Sequence, residues 1–333
     1  MNSQQRVIWS VTPDQSQSPY IISTVNALRD RQWTVDSLSL RDLLTSKGQL
    51  VHIQWPEHVS RGPKLAKTWA KHARAVAIVA ALKQRRHRVI VTAHNIYPHK
   101  SSDPVDAWFR TQILNLAEAM VVLVPEHEVA LRKLGQVAPG TTVHSIPHPI
   151  EGHIDIEFER ERTTLLVLGH IHPYHRILEF VDLLITAGCT RPVEVVGSVG
   201  DPELVVALEQ RANDHEWLTI RAGYVSDEDL QPILARTAAV VSLQSVPFNS
   251  GAPYFALPRA LPMILSEGAQ AKGLQAEEGP EWVFQISADE TRFDLAELES
   301  WLGRDRTRPK LERYLAETVA EQHLEMYQFH LRR

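Results

Sequence analysis

The sequence predicts an α/β protein made of two units, each a parallel sheet with helices on both faces. Three observations predict it. Short apolar, β-branched runs alternate with longer amphipathic stretches, the alternation restarts after residue 150, and the formal charge changes sign at the same place. Alternation of this kind builds parallel sheets, because a parallel connection needs a crossover long enough to hold a helix.

The first unit opens on RVIWSVT (6–12) and continues with QLVHIQW (49–55), RVIVTAH (88–94), AMVVLVP (119–125) and VHSIP (143–147). Each run is short and largely apolar, as a strand buried on both faces must be. Helices are expected between them at 18–30, 63–86, 103–118 and 126–134. The second unit repeats the pattern with TTLLVLGH (163–170), PVEVVGS (192–198), LTIRAGY (218–224), AAVVSLQ (238–244) and PMILSEG (262–268). Its helices are expected at 175–187, 201–213, 226–236 and 252–260. The tail, 309–333, reads as one or two helices, with Leu311, Tyr314, Leu315 and Val319 at helical spacing.

Length agrees with this division. At roughly 100–200 residues per domain, 333 residues suggest two. The boundary falls in 148–164, which carries the acidic run IDIEFERER, so the expected parts are 1–150, 151–310 and a tail helix, 311–333, packing back on the first domain. A composition 44% hydrophobic and 23% charged excludes disordered and fibrous classes. The single cysteine, Cys189, excludes a disulfide framework and a cysteine metal knuckle. The chain shows neither an apolar run of about 20 residues nor a signal-peptide core, so a cytoplasmic location is expected.

The net charge of -5 hides an asymmetry. Residues 1–150 hold 18 Lys and Arg against 10 Asp and Glu, a net of +8, whereas residues 151–333 hold 17 against 30, a net of -13. From His58 to Ser102 there is no acid but ten bases, among them Arg61, Lys64, Lys67, Lys71 and Arg74. Trp69, Ala73, Val76, Val79 and Ala80 add an apolar stripe, so 61–88 reads as a basic amphipathic helix suited to an anionic membrane on its inner face. Without a nucleic-acid-binding motif, and with a strongly acidic second half, nucleic acid is not an expected partner.

Ligands of open parallel sheets bind at the carboxyl ends of the strands. After RVIVTAH the chain offers His94, Asn95 and Lys100, and a histidine there can move a proton near neutral pH. The plainer alternative is a ring bonded to loop backbone. After QLVHIQW come Trp55 and Glu57, an aromatic platform beside a carboxylate that can bind a sugar hydroxyl or act as a base, or else sit exposed in a turn. In the second unit Gly169 and His170 lead to His175, Arg176 and a helix N-terminus, a combination that favours phosphate. Asn249, Ser250 and Gly251 precede another helix, either as plain caps or as an anion site.

Read in order, LLVLGHIHPYHRILEFVDLL, PVEVVGSVGDPEL, LTIRAGYVSDEDLQPILARTAAVVSL and NSGAPYFALPRALPMILSEG resemble the donor domain of GT-B glycosyltransferases across 165–268. Ser18-Pro19-Tyr20, VTAHNIYPHK and VHSIPHPI are similar to acceptor-side elements of that family. The resemblance implies two Rossmann-like domains facing across a cleft that holds a nucleotide-sugar, with a C-terminal helix returning to the first domain. It places Asn249, Ser250 and Gly251 at the donor diphosphate, with Gly169, His170, His175 and Arg176. Gly223 and Tyr224 fall near the nucleobase, His94 near the reaction centre, and Tyr20, Trp55, Asn95 and Lys100 on the acceptor side.

Transfer in this fold needs no cofactor and no metal, since helix dipoles and basic side chains stabilise the leaving diphosphate. Two departures stand out. His170 and His175-Arg176 replace an Arg and a Lys-Gly of many relatives, and Pro247 and Phe255 stand where many retaining members carry paired glutamates. The expected function is transfer of a hexose from a nucleoside-diphosphate sugar to a hydroxyl of a glycan or lipid-linked acceptor in cell-surface polysaccharide or glycoconjugate synthesis, with His94 or Glu57 as base. The alternative is a non-catalytic GT-B-like binding protein or partner subunit. An epimerase of the same fold would need more acids than His94, Glu57 and Glu267 provide.

Overall fold

Two six-stranded parallel sheets carry the protein; numbered in chain order, their strands lie 2-1-3-4-5-6 in the first and 12-11-10-7-8-9 in the second. The computed structural model describes residues 5–16, 18–56, 68–95, 104–150, 162–246, 248–287 and 294–332. The chain divides into two units, Met1–Glu151 with Glu312–Arg333, and Gly152–Leu311.

In the first unit the strands are β1 (Arg6–Trp9), β2 (Thr34–Ser37), β3 (Leu50–Ile53), β4 (Arg88–Ala93), β5 (Ala117–Val122) and β6 (Thr142–Ser145). Helices α1 (Pro19–Asp30), α2 (Leu40–Thr45), α3 (Thr68–Gln84), α4 (Pro104–Leu116) and α5 (His127–Lys133) connect them, and α12 (Ala316–Leu331) completes the unit from the far end of the chain. One sheet face packs Val7, Trp9 and Ile90 against Ile21, Val25 and Leu28 of α1 and Val319, Leu324 and Tyr327 of α12. The other packs Ile8, Val51 and Val89 against Ile78 and Leu82 of α3 and Phe109 and Ile113 of α4. Each such aliphatic side chain taken out of water contributes about 1.5–3 kcal/mol, which fixes both helix layers on the sheet.

The second unit has β7 (Thr164–Leu168), β8 (Val193–Gly197), β9 (Leu218–Ala222), β10 (Thr237–Ser242), β11 (Met263–Ser266) and β12 (Val283–Ile286). Its helices are α6 (Ile177–Thr186), α7 (Pro202–Asp214), α8 (Asp227–Arg236), α9 (Ala252–Ala256), α10 (Ala269–Glu278) and α11 (Leu295–Leu302). Phe180, Val181 and Leu184 of α6 fill one face with Leu165, Val195 and Val241, and Trp301 of α11 closes it.

The structure adds elements that the apolar runs did not indicate: β2 and α2 in the first unit, and α10, β12 and α11 in the second. β12 therefore follows β11 as the last strand among the described residues. The basic helix is rotated from the expected stripe. Its buried face is Ala75, Ile78, Val79 and Leu82, whereas Ala73 and Val76 are exposed, because the sheet takes the more strongly apolar side. The helix expected at 252–260 is the short α9 followed by a 3-10 turn at Leu257–Arg259.

Each sheet reverses its winding once, between β1 and β3 in the first unit and between β7 and β10 in the second. Such a switch point opens a crevice at the carboxyl ends of the strands.

Candidate functional site

In the first unit, the switch point is lined by aromatic and amide side chains. His94 directly follows β4 and is 9% exposed. Its ring stacks on the Trp55 indole, centroids 4.1 Å apart and planes 18° from parallel, and meets Tyr20 edge-to-face at 5.1 Å. Nε2 lies 2.9 Å from Gln54 Oε1. A carbonyl oxygen only accepts, so the proton of this bond is on Nε2, an arrangement compatible with a base acting through Nδ1.

Below His94 lies His52 on β3, fully buried, its Nε2 2.8 Å from Thr92 Oγ1 and its Nδ1 2.6 Å from the Tyr327 hydroxyl. Burial first, then the neighbouring His323 and His94, hold His52 well below the ordinary histidine value. Burial likewise pushes His148, 5.0 Å from Tyr20, down to about 4. The rings around His94 are thus neutral near pH 7.

Tyr20 was expected on the acceptor side. It is 2% exposed and backs the His94 ring, because α1 packs it onto the sheet. Trp55 and Asn95 are half-buried beside His94, lining a hollow whose far wall carries Arg110 and Gln136, joined at 2.7 Å. Glu57 and Lys100 lie outside the described residues. Gln54 and Arg110 were not singled out from the sequence; a polar residue ending the β3 run was the available signal for Gln54.

In the second unit, three neighbouring strands run into glycines with positive φ: Gly169 after β7, Gly197 ending β8 and Gly223 after β9. The Gly223 N–H donates to Gly197 O at 2.7 Å, and the Gly169 N–H to Val196 O at 3.0 Å. The His170 ring lies against Gly200, where a Cβ would come within 2.4 Å of Nε2, and its Nδ1 is 2.9 Å from Ser198 Oγ. His172, which the sequence reading passed over, is parallel to it at 6.0 Å. Both rings are exposed.

Two of the donor-side candidates are engaged by partners within the unit. Arg176 is only 7% exposed, and its Nε donates to Glu179 Oε2 at 2.6 Å, so its charge is engaged inside the unit. His175 ends the preceding 3-10 turn and is half-buried. Ser250 and Gly251 do not present an open row of N–H groups. The Ser250 N–H donates to Gln270 Oε1 at 2.9 Å, the Ala252 N–H to Ser250 Oγ at 3.2 Å, and Pro253 has none.

The loop holding Asn249 and Ser250 is instead a clamped structure. Gln270 of α10 also donates to Ser250 O at 2.9 Å, and the Ser242 and Ser250 hydroxyls meet at 2.9 Å. Ser266 bonds the Gln244 N–H at 2.8 Å and Gln244 O at 3.1 Å. Ser242, Gln244, Ser266 and Gln270 make a polar floor at the ends of β10 and β11 that sequence reasoning missed, since spacing alone does not bring them together.

Gly223 and Tyr224 border a separate hollow of about 400 Å³ with Arg221, Asp229 and Arg236 on its walls. Tyr224 is 91% exposed. Glu194, 7% exposed, joins Arg221 at 3.2 Å and Arg236 at 2.6 Å. Among the described residues no group of three or more His, Cys, Asp or Glu is placed to hold a metal ion.

No protein-family profile matches the chain. It is 26% identical over 309 residues to the GDP-mannose:glycolipid 4-beta-D-mannosyltransferase of Xanthomonas campestris pv. campestris, across 90% of this chain and 83% of that protein. The solved structure of AviGT4, a glycosyltransferase involved in avilamycin A biosynthesis, matches with a TM-score of 0.62 at 15% identity, over 98% of both chains. The GtfA/B complex matches with a TM-score of 0.61 at 11% identity over 88% of this chain, which spans 59% of that one. With both sheets matched along nearly their whole length and a mannosyltransferase as sequence relative, the protein is a glycosyltransferase of the GT-B fold.

Proposed function

We propose that the protein moves mannose from GDP-mannose to a hydroxyl of a lipid-linked sugar, forming a β-linkage with inversion, and that His94 is the base. The sequence relative named for GDP-mannose, a glycolipid and a 4-β product supports the substrates. The observation that carries the chemistry is His94 itself, held between Trp55 and Tyr20 with Nε2 on Gln54. The mannose of GDP-mannose is α-linked, so a β product follows from a single displacement, which needs one base.

As the acceptor oxygen bonds to C1 of mannose, its proton passes to His94 Nδ1. The C1–O bond to the diphosphate breaks with its electron pair on the departing oxygen, and GDP leaves. Trp55 and Asn95 take the acceptor sugar, with Trp55 offering its indole face to the sugar ring's C–H groups. The second unit holds the donor without a metal: His170, with Gly169, lies by the diphosphate, Asn249, Ser250 and Gly251 by its far side, and Gly223 and Tyr224 by the guanine.

Peripheral docking on an anionic inner membrane surface fits a glycolipid acceptor. No helix among the described residues is long and apolar enough to cross a membrane. On α3 and its end, Val76 (52%), Arg74, Lys83 and Arg86 are all exposed, an apolar side chain and three cations on the solvent side.

The test is thermal shift followed by turnover. GDP and GDP-mannose are expected to raise the melting temperature more than UDP or UDP-glucose, because ligands stabilise the state they bind. NMR of the glycolipid product should show a β-mannoside. Preference for the uridine nucleotides, or an α product, would overturn the reading.

A further inference from the structure

The C-terminal helix reaches the candidate base through a chain of hydrogen bonds. β3 and β4 pair in parallel, with His52 opposite Ile90 and Ile53 opposite Val91. Side chains alternate along a strand, so His52 and Gln54 share a face, as do Thr92 and His94. Two cross-strand rungs result: His52 Nε2 to Thr92 Oγ1 at 2.8 Å, and Gln54 Oε1 to His94 Nε2 at 2.9 Å. Thr92 ties the rungs together, because its backbone oxygen also accepts the His94 N–H at 3.2 Å.

The lower rung is closed from outside the sheet. Tyr327 of α12 places its hydroxyl 2.6 Å from His52 Nδ1, and both residues are fully buried. A buried imidazole needs a partner on each nitrogen, and Tyr327 supplies one of them. The His52 ring also lies near Trp9 at 5.2 Å, His323 at 5.7 Å and the Tyr327 ring at 5.7 Å. Tyr327 is held in turn by Trp33, at 5.4 Å.

We propose that Tyr327 is a positioning residue for His94: its hydroxyl locks His52, His52 locks Thr92, and Thr92 sets the backbone and register of His94. The proposal rests on His94 being the base of the reading above. Without the Tyr327 hydroxyl, the His52 ring loses the partner that fixes its orientation, and the upper rung loses its footing. Small displacements at a reacting group cost up to about 10²-fold in rate, so a rung once removed is expected to cost about tenfold.

Tyr327→Phe and Thr92→Val test it by breaking the relay from opposite ends, with Leu324→Ala as a control that opens a cavity on the same helix outside the relay. Either relay variant should lower kcat at least fivefold with GDP-mannose KM within twofold of wild type, and the double variant should cost no more than the worse single. In imidazole NMR, the wild-type His94 ring should be the Nε2–H tautomer, and the relay variants a mixture. Leu324→Ala should lower the melting temperature and leave kcat within twofold. Should Tyr327→Phe fail to fold, Thr92→Val carries the test. Wild-type kcat and tautomer in the relay variants, beside an inactive His94→Ala, would overturn the proposal alone; an active His94→Ala would overturn the assignment of the base. A loss of kcat in Leu324→Ala equal to that in Tyr327→Phe would reduce the effect to helix stability and overturn the relay.

Discussion

A Cβ on Gly197 would stand 1.5 Å from the carbonyl oxygen of Gly169. Backbone meets backbone there, and no side chain can yield to make room. Gly197 also sits at a φ of 157°, and its own oxygen holds the Gly223 N–H. Gly197→Ala is therefore expected to cost more than about 4 kcal/mol, at the diagnostic end of single substitutions. Gly48→Ala, at φ 63° with nothing within 4 Å, should cost about 1–2 kcal/mol. Urea unfolding of both variants measures the difference.

His94→Ala is expected to lower kcat by about 10²–10⁴-fold, the usual contribution of a positioned base. Gln54→Leu keeps the ring but frees its tautomer, so a smaller loss, roughly tenfold, should appear in kcat. GDP affinity, read by calorimetry, should be unchanged in both.

Acid should weaken the first unit before it weakens isolated carboxylate pairs. His323 is fully buried, and burial pushes it down to about 4; His52 shifts the same way for the same cause. An unfolded histidine titrates near 6.5. Between these values the unfolded chain binds a proton that the folded chain refuses, so the stability is fully present above pH 6.5 and lost as pH falls towards 4. The loss from His323 is roughly 3 kcal/mol. Unfolding free energies at pH 7.5, 5.5 and 4.5 should fall in that order, and His323→Gln should flatten the slope by one proton.

Gln270→Leu should loosen the loop at Ser250, since two bonds of 2.9 Å from one amide hold it. Losing them is expected to raise the GDP-mannose KM about tenfold, on the order of one hydrogen bond's net worth. The change in kcat should be less than threefold. Initial rates against donor concentration separate the two.

Flotation with anionic vesicles checks the surface of α3. Arg74→Glu with Lys83→Glu should weaken binding more than tenfold, at about 1 kcal/mol for each basic residue near the surface. Val76→Glu should weaken it at low and high salt alike, whereas the charge reversals should matter less at high salt. Neutral vesicles should bind little of any form.

The parts of the fold visible in the sequence were those that the sheets bury on both faces. RVIVTAH and AAVVSLQ could hardly be anything but strands, and their order implied parallel pairing. TVDS and VFQI were missed because edge strands are half-covered and tolerate Asp, Ser and Gln. His94 and Trp55 were legible as strand-end residues, but their stacking was not. Gln54, Gln270, Ser242 and Tyr327 act through partners between 8 and 275 residues away, and no local pattern carries such pairings. Arg176 was legible as a base before a helix, but its pairing with Glu179 was not.

The first unit is made from both ends of the chain, with the second unit spliced into it. A ribosome therefore releases a complete second unit while the first still lacks the helix that covers Trp9, Trp33 and His52. Until residue 331 emerges, that apolar face has no cover of its own, and a nascent chain must be shielded or wait. Removal of α12 would injure the unit whose strands precede the second unit in the chain and spare the second unit itself.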